Sequence, residues 1–223
     1  MNDPDILVKL FVIALVVYAT SLHEMAHAYV ATWCGDPTPG RHGRLTWNPI
    51  PHLQPVLTAV ILPVLFYMTS SSLFCLAQTP IDPSRMRKPL RDHALTALAG
   101  PVTNFLFMGL LIGILWIPGV YQYRIDSRHL EPANWLTAIL PIAGFWNLIL
   151  GVFNLLPIPP LDGYRIARAF VPIGIRRQMD DFARSNLSFM VVLIAGSFII
   201  GQFIEPLGDF FRTLLPKPIL ITG

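Results

Sequence analysis

Ser21-Leu22-His23-Glu24-Met25-Ala26-His27 is the stretch that decides this fold, because it places two histidines and a carboxylate inside an otherwise apolar segment. On a helix, His23 and His27 lie one turn apart on the same face, so both imidazoles can hold one metal ion beside Glu24. These groups are costly to bury in hydrocarbon, which makes a functional site the expected reason for them. The alternative is a pair of core histidines that bind no metal.

The composition is that of an integral membrane protein. Of the 223 residues, 53% are hydrophobic and only 13% are charged, whereas soluble domains carry about 25% charged residues. The length fits one membrane-embedded domain, residues 1–223, with its core in 6–170. The N-terminus lacks a basic segment before its apolar run, so we expect the first helix to be retained rather than cleaved as a signal peptide.

The apolar stretches predict an all-α polytopic fold with four to five transmembrane helices and a short β element at the interface. The first helix is expected at about 6–33, long enough to cross a bilayer. Uncharged residues 53–81 contain prolines and serines, so they form either a second span or a re-entrant hairpin. The remaining expected segments are spans at 95–117, 136–156 and 187–204, followed by an interfacial tail at 205–223.

Residues 43–47 alternate as a strand would and predict the interfacial β element. An open strand edge there can pair with an extended peptide, which makes Thr46 and Trp47 candidate substrate contacts. The alternative is an interfacial loop in which Trp47 is a membrane anchor.

Charge predicts the topology. If residues 53–81 re-enter, the loops after residues 33, 81 and 163 share one membrane face, which then carries eleven of the sixteen Lys and Arg residues. The positive-inside rule makes that face cytoplasmic and brings the metal site close to it. A full second span is the competing topology.

The two histidines need a further ligand, because hydrolytic zinc usually takes three protein ligands and leaves one position to water. Asp162, which follows the proline-rich break 157–160, is the best candidate among the few carboxylates near the spans. Its alternative role is to cap the helix that begins near Gly163. Glu24 adjoins His23 but points off the ligand face, which suits a general base.

Asn104 and Asn154 are uncharged donors inside the predicted spans. Such residues can bind a substrate backbone or steady an oxyanion, and equally they can join helices by hydrogen bonds. The remaining histidines are expected at the surface of polar loops: His42, His52, His93 and His129.

Three motifs in order resemble the signature set of the site-2 protease family of intramembrane zinc metalloproteases. They are His23-Glu24-Met25-Ala26-His27, Ala99-Gly100-Pro101-Val102-Thr103-Asn104 and the segment 154–163, Asn-Leu-Leu-Pro-Ile-Pro-Pro-Leu-Asp-Gly. Residues 43–52 are similar to compact prokaryotic members that lack extra domains. One residue and one segment depart from that pattern, since Gln54 replaces the usual Asp and residues 77–80 replace an Ala-Lys-Pro-Val element.

The resemblance implies cleavage of peptide bonds in or near transmembrane segments of membrane-protein substrates. It assigns zinc to His23, His27 and Asp162, the base to Glu24 and a substrate or transition-state contact to Asn154. We therefore expect a zinc endopeptidase in the plasma membrane of a prokaryote, acting on proteins rather than nucleic acid. The alternatives are a proteolytically silent scaffold and a zinc-handling membrane protein.

Overall fold

Three long helices form the framework of the protein in a computed structural model that describes residues 4–53, 61, 77–126, 129–185 and 202–222. They are α1 (Pro4–Trp33), α3 (Pro89–Leu115) and α4 (Trp135–Asn154). All three are long and apolar enough to cross a membrane. At 1.5 Å per residue they measure about 45, 40 and 30 Å, against a hydrocarbon core of about 30 Å.

Short elements connect these helices at their ends. In chain order they are α2 (Thr38–Arg41), two 3₁₀ turns (Ile50–His52 and Pro83–Arg85), β1 (Gln122–Asp126), β2 (His129–Pro132), α5 (Asp162–Phe170), α6 (Ile173–Arg184), α7 (202–214) and β3 (Ile219–Thr222). The sheet has the order β2-β1-β3. β1 pairs antiparallel with β2 and parallel with β3.

Exposed tryptophans mark the two ends of the long helices. Trp33 ends α1 at 73% exposure, whereas Trp116 and Trp135 lie where α3 ends and α4 begins, at 61% and 55%. Tryptophan collects at both membrane–water interfaces, so these positions indicate where the bilayer ends.

One cluster of core residues lies between α1 and α4. Val12 and Val16 of α1 are fully buried against Ile139, Trp146 and Ile149 of α4. Helix α3 packs closely on α4 where Gly151 faces Phe105: a Cβ at Gly151 would lie 2.6 Å from that ring. Small residues at such crossings let membrane helices approach one another.

One end of the bundle gathers the C-terminus of α1 and the N-terminus of α3. Gly35 ends α1 with a φ of +109°, and Arg87 donates hydrogen bonds to the carbonyls of Cys34 and Trp33. The Asp36 carboxylate accepts from the Asp82 amide at 2.7 Å. These contacts bring the loops after residues 33 and 81 together at this end of the bundle.

The predicted strand at 43–47 is wrong, and this segment is a loop. Gly43 has a φ of +67°, and the Thr46 hydroxyl accepts a hydrogen bond from the Asn48 amide at 3.1 Å. Such local side-chain bonds compete with a strand ladder. Trp47 is 68% exposed, as the alternative of an interfacial anchor requires. The β structure lies instead in residues 122–132, between two of the expected spans, and in the expected tail.

The expected spans at 95–117 and 136–156 correspond to α3 and α4, although α3 begins earlier, at Pro89. Proline suits the first helical position, and Asp92 accepts a hydrogen bond from the Lys88 amide at 2.8 Å. The expected re-entrant or second span falls mostly outside the described residues, as does most of the span at 187–204.

Helices α5 and α6 are joined through Asp180. Its carboxylate accepts hydrogen bonds from Arg168 Nε at 2.6 Å, Arg168 Nη2 at 2.7 Å and the Tyr164 hydroxyl at 2.7 Å. These bonds, above all those from Arg168, lower the pKa of Asp180 to about 2. Because the folded pKa lies below its ordinary value of 3.8, Asp180 stabilises the fold above pH 4, and this contribution disappears as the pH falls to about 2.

We expect Asp180→Asn to lower the free energy of unfolding by about 1–2 kcal/mol at pH 7, since it removes two charge-assisted hydrogen bonds at a partly exposed site. The difference from wild type should shrink below pH 4, as thermal melting in detergent would measure. Asp181→Asn is the matched control, because Asp181 pairs with Arg184 at 3.4 Å on the open surface. An equal effect of both substitutions would contradict the assignment.

Candidate metal centre

His23 and His27 project from α1 towards α3, and each ring is held by a partner on α3. His23 Nδ1 donates to Asn104 Oδ1 at 2.5 Å, and His27 Nδ1 donates to the Thr96 carbonyl at 2.7 Å. Since both Nδ1 atoms face oxygen acceptors, both Nε2 atoms carry lone pairs. Partners of this kind fix the tautomer and orientation of metal-binding histidines.

Asp162 reaches the two rings from the first turn of α5. Its Oδ2 atom lies 3.1 Å from His23 Nε2 and 3.1 Å from His27 Nε2. The segment after α4 turns tightly to allow this approach, because a Cβ at Gly163 would overlap the carbonyl oxygens of Leu155 and Leu156. The carboxylate is 3% exposed and points inward, so it does not serve as the helix cap that the sequence leaves open.

The three atoms fit a zinc ion. Tetrahedral zinc with bonds of about 2.0–2.2 Å separates its ligand atoms by about 3.3–3.5 Å, close to the 3.1 Å separations found here. In the neutral rings, two nitrogen lone pairs and a carboxylate oxygen face one another, and they repel unless a metal ion or a proton lies between them. Two imidazoles and one carboxylate are also a ligand set that catalytic zinc uses.

Gly100 forms one wall of the centre. A Cβ at this position would lie 2.5 Å from His23 Cε1 and Nε2 and 2.6 Å from His27 Cε1. Helix α3 therefore packs its backbone directly against both imidazoles. Any side chain at residue 100 would displace the rings.

Glu24 lies beside the histidines. Although it was expected off the ligand face, its carboxylate comes within 4.8 Å of the ligand nitrogens of both rings. The residue is 5% exposed, and Oε2 has no hydrogen-bond partner among the described residues. A buried carboxylate oxygen without such a partner can accept a hydrogen bond or a proton from a water molecule.

Sequence reasoning misses a second charge next to Glu24. Arg44, from the loop after α2, is 7% exposed, and within the described part of the chain its Nη1 atom has no hydrogen-bond partner. Burial lowers the pKa of Arg44, while the negative charge of Glu24 opposes this shift. The one sequence signal for Arg44 is its position just before Thr46 and Trp47, the candidate substrate contacts.

A cavity of about 190 Å³ opens onto the centre. It is lined by both histidines, Glu24 and Asp162, together with Ala77, Gln78, Thr79, Ile81, Asn154, Pro160, Leu161 and Arg165. Residues 77–81 have no regular secondary structure. A hydrogen bond holds them against α1, since the Thr79 hydroxyl donates to the Glu24 carbonyl at 3.0 Å. The cavity has polar side chains in its lining and is large enough for several water molecules.

The other predicted site residues differ in their distance from this cavity. Asn154 lines it and donates to the Leu150 carbonyl at 3.0 Å. Asn104 is 1% exposed and is engaged by His23 and Asn147, so its side chain joins helices. Among the described residues, neither Thr46 nor Trp47 lines the cavity.

Two of the histidines expected at the surface are buried or half-buried. His52 is 1% exposed, because its Nε2 donates to the Thr46 carbonyl at 2.9 Å and folds the loop over the ring. His93 is half-buried within α3, because that helix begins at Pro89 rather than beyond the basic loop. His42 is exposed as expected, and the side chain of His129 lies outside the described part of the chain.

The long helices and the buried centre define a class, the integral membrane enzymes that depend on a metal ion. The sequence profile of peptidase family M50 matches residues 119–197. The protein named "Putative zinc metalloprotease YwhC" in Bacillus subtilis is 36% identical over 210 residues, which span 93% of this chain and 85% of the relative. The chain therefore belongs to family M50, the site-2 proteases, and is a zinc metalloendopeptidase.

More distant relatives support the same assignment. A relative named Rip2 from Mycolicibacterium smegmatis is 28% identical over 207 residues, 92% of this chain and 74% of that protein. Rip2 from Mycobacterium tuberculosis is 29% identical over 196 residues, with 88% and 71% coverage. No solved structure matches the chain significantly.

We expect Gly100→Ala to weaken zinc binding on the order of 10-fold or more, because the added methyl displaces ligand rings whose placement sets metal affinity. Competition with a chelating dye would measure the change. Gly109→Ala is the matched control, since a Cβ at that position of the same helix meets no atom of the described residues within 4 Å. Equal affinities in the two variants would contradict the packing argument.

Proposed function

We propose that this protein is an intramembrane protease, which hydrolyses peptide bonds in or near the transmembrane segments of membrane-protein substrates. His23, His27 and Asp162 hold the zinc ion, and Glu24 is the general base. The observation that carries this proposal is the convergence of two Nε2 atoms and one carboxylate oxygen at 3.1 Å beside an unpartnered glutamate.

The depth of the centre supports a substrate within the bilayer. His23 and His27 precede the end of α1 at Trp33 by ten and six residues, which places them about 9–15 Å from that end. A scissile bond must reach this depth. A substrate helix must also unwind locally, because helical peptide groups are engaged in their own hydrogen bonds.

Bound zinc supplies a Lewis acid that makes water nucleophilic near neutral pH. Glu24 accepts the proton of the attacking water on its free Oε2 atom and passes it to the leaving amide nitrogen. Asn154, at the edge of the cavity, contacts the substrate backbone or the developing oxyanion. Asn104 instead steadies His23, as its hydrogen bond indicates.

We also propose that the centre lies nearer the cytoplasmic face of the plasma membrane. The end of the bundle that holds the centre carries Arg41, Arg44, Arg85, Arg87, Lys88, Arg91, Arg165, Arg168, Arg176, Arg177 and Arg184. An excess of basic residues in short loops identifies the cytoplasmic side.

A protein that transports zinc would need further ligands along a path through the helices. Within the described residues, His23, Glu24 and His27 form the one group of three or more His, Cys, Asp or Glu side chains whose ligand atoms lie within 4.8 Å of one another, and Asp162 adjoins this group. A single centre beside a water-accessible cavity favours hydrolysis over transport.

We expect Glu24→Gln to abolish cleavage of a membrane-embedded substrate while leaving zinc bound, because the amide keeps the shape but cannot take a proton. Zinc content and cleavage should be measured on the same preparation in proteoliposomes. Glu205→Gln is a suitable control, as Glu205 is exposed on α7. Cleavage at the wild-type rate in the Glu24 variant would refute the mechanism, and purified protein without zinc would favour the scaffold.

A further inference from the structure

Arg165 is a hydrogen-bond partner of Asp162, as Asn104 is of His23 and the Thr96 carbonyl is of His27. Its Nη1 atom donates to Asp162 Oδ1 at 2.8 Å, from one turn further along α5. The guanidinium also lines the cavity, and its side chain is 24% exposed. We infer that Arg165 is a positioning residue, which turns the Asp162 carboxylate so that a single oxygen, Oδ2, faces the metal ion.

The two oxygens of the Asp162 carboxylate have different partners, and this difference carries the inference. Oδ2 lies 3.1 Å from both histidine nitrogens, whereas Oδ1 is taken up by Arg165. A free aspartate can rotate and present both oxygens to a metal ion. The hydrogen bond to Oδ1 removes that freedom and leaves room at the centre for water and the substrate carbonyl.

With Arg165 included, all three proposed ligands have a hydrogen-bond partner outside the ligand set. His23 is steadied by Asn104 and His27 by the Thr96 carbonyl, both on α3. Asp162 has no such support from α3 in the described structure and takes it from its own helix instead. Each proposed ligand thus has one outer partner, and loss of such partners typically weakens metal binding 10- to 100-fold.

Charge acts in the opposite direction. A guanidinium close to the centre repels a divalent cation, so its removal would tighten zinc binding if charge dominated. The carboxylate of Asp162 lies between the two cations and screens them from each other. We therefore expect orientation to outweigh repulsion, and the sign of the change in affinity decides between the two effects.

The test uses the full chain in detergent, with zinc affinity measured by chelator competition. Arg165→Met, which keeps the volume but loses the donors, should bind zinc about 10–100-fold more weakly. Arg165→Lys, which keeps the charge but not the planar fork, should also bind zinc more weakly. This second variant tests the inference even if Arg165→Met does not fold. Arg177→Met, at an exposed position on α6, removes the same charge and should leave the affinity unchanged.

Substituted Co²⁺ gives a second readout, because its visible absorption depends on the number and geometry of its ligands. The spectrum should change in Arg165→Met and remain that of wild type in Arg177→Met. Unchanged or tighter zinc binding in either folded Arg165 variant overturns the inference. The inference rests on the proposed ligand set, but its failure is distinguishable: wild-type protein that binds no zinc would overturn the proposed function instead.

Discussion

The structure depends on holding three electron-pair donors together in a nearly buried site, where solvent screens their repulsion poorly. His23, His27 and Asp162 are each at most 6% exposed, and their donor atoms point at one another. Burial of such groups is favourable only if partners fix them and a cation lies between them. Much of the surrounding architecture serves this requirement.

Each long helix has a part in meeting it. Helix α1 carries the two imidazoles, and α3 supplies Asn104, the Thr96 carbonyl and the bare backbone of Gly100. Helix α4 leads into the tight turn before α5, where Gly163 allows the chain to approach closely enough for Asp162 to enter. Membrane helices usually contact one another through small residues and polar pairs. Here the same contacts hold the side chains of the candidate centre in place.

The sequence predicted the membrane class, the long helices and the residues of the candidate centre, because hydrophobic length and paired histidines are local signals. It did not predict the roles of Gly100, Arg165 or Arg44, since these depend on which side chains meet across helices. Asn104 shows the same limit, as its contact with His23 spans 81 residues of sequence. The misplaced strand at 43–47 has a local cause: alternation was visible, but the side-chain bond of Thr46 and the positive φ of Gly43 favour a loop.

The separation of the centre into two distant parts of the chain has a consequence for its biogenesis. His23 and Asp162 are 139 residues apart, so a ribosome adding about 5–20 residues per second delivers the second roughly 7–28 s after the first. With the proposed ligand set, the nascent protein enters the bilayer with an incomplete centre. Cleavage then begins only after Asp162 has been synthesised and has packed against the two histidines.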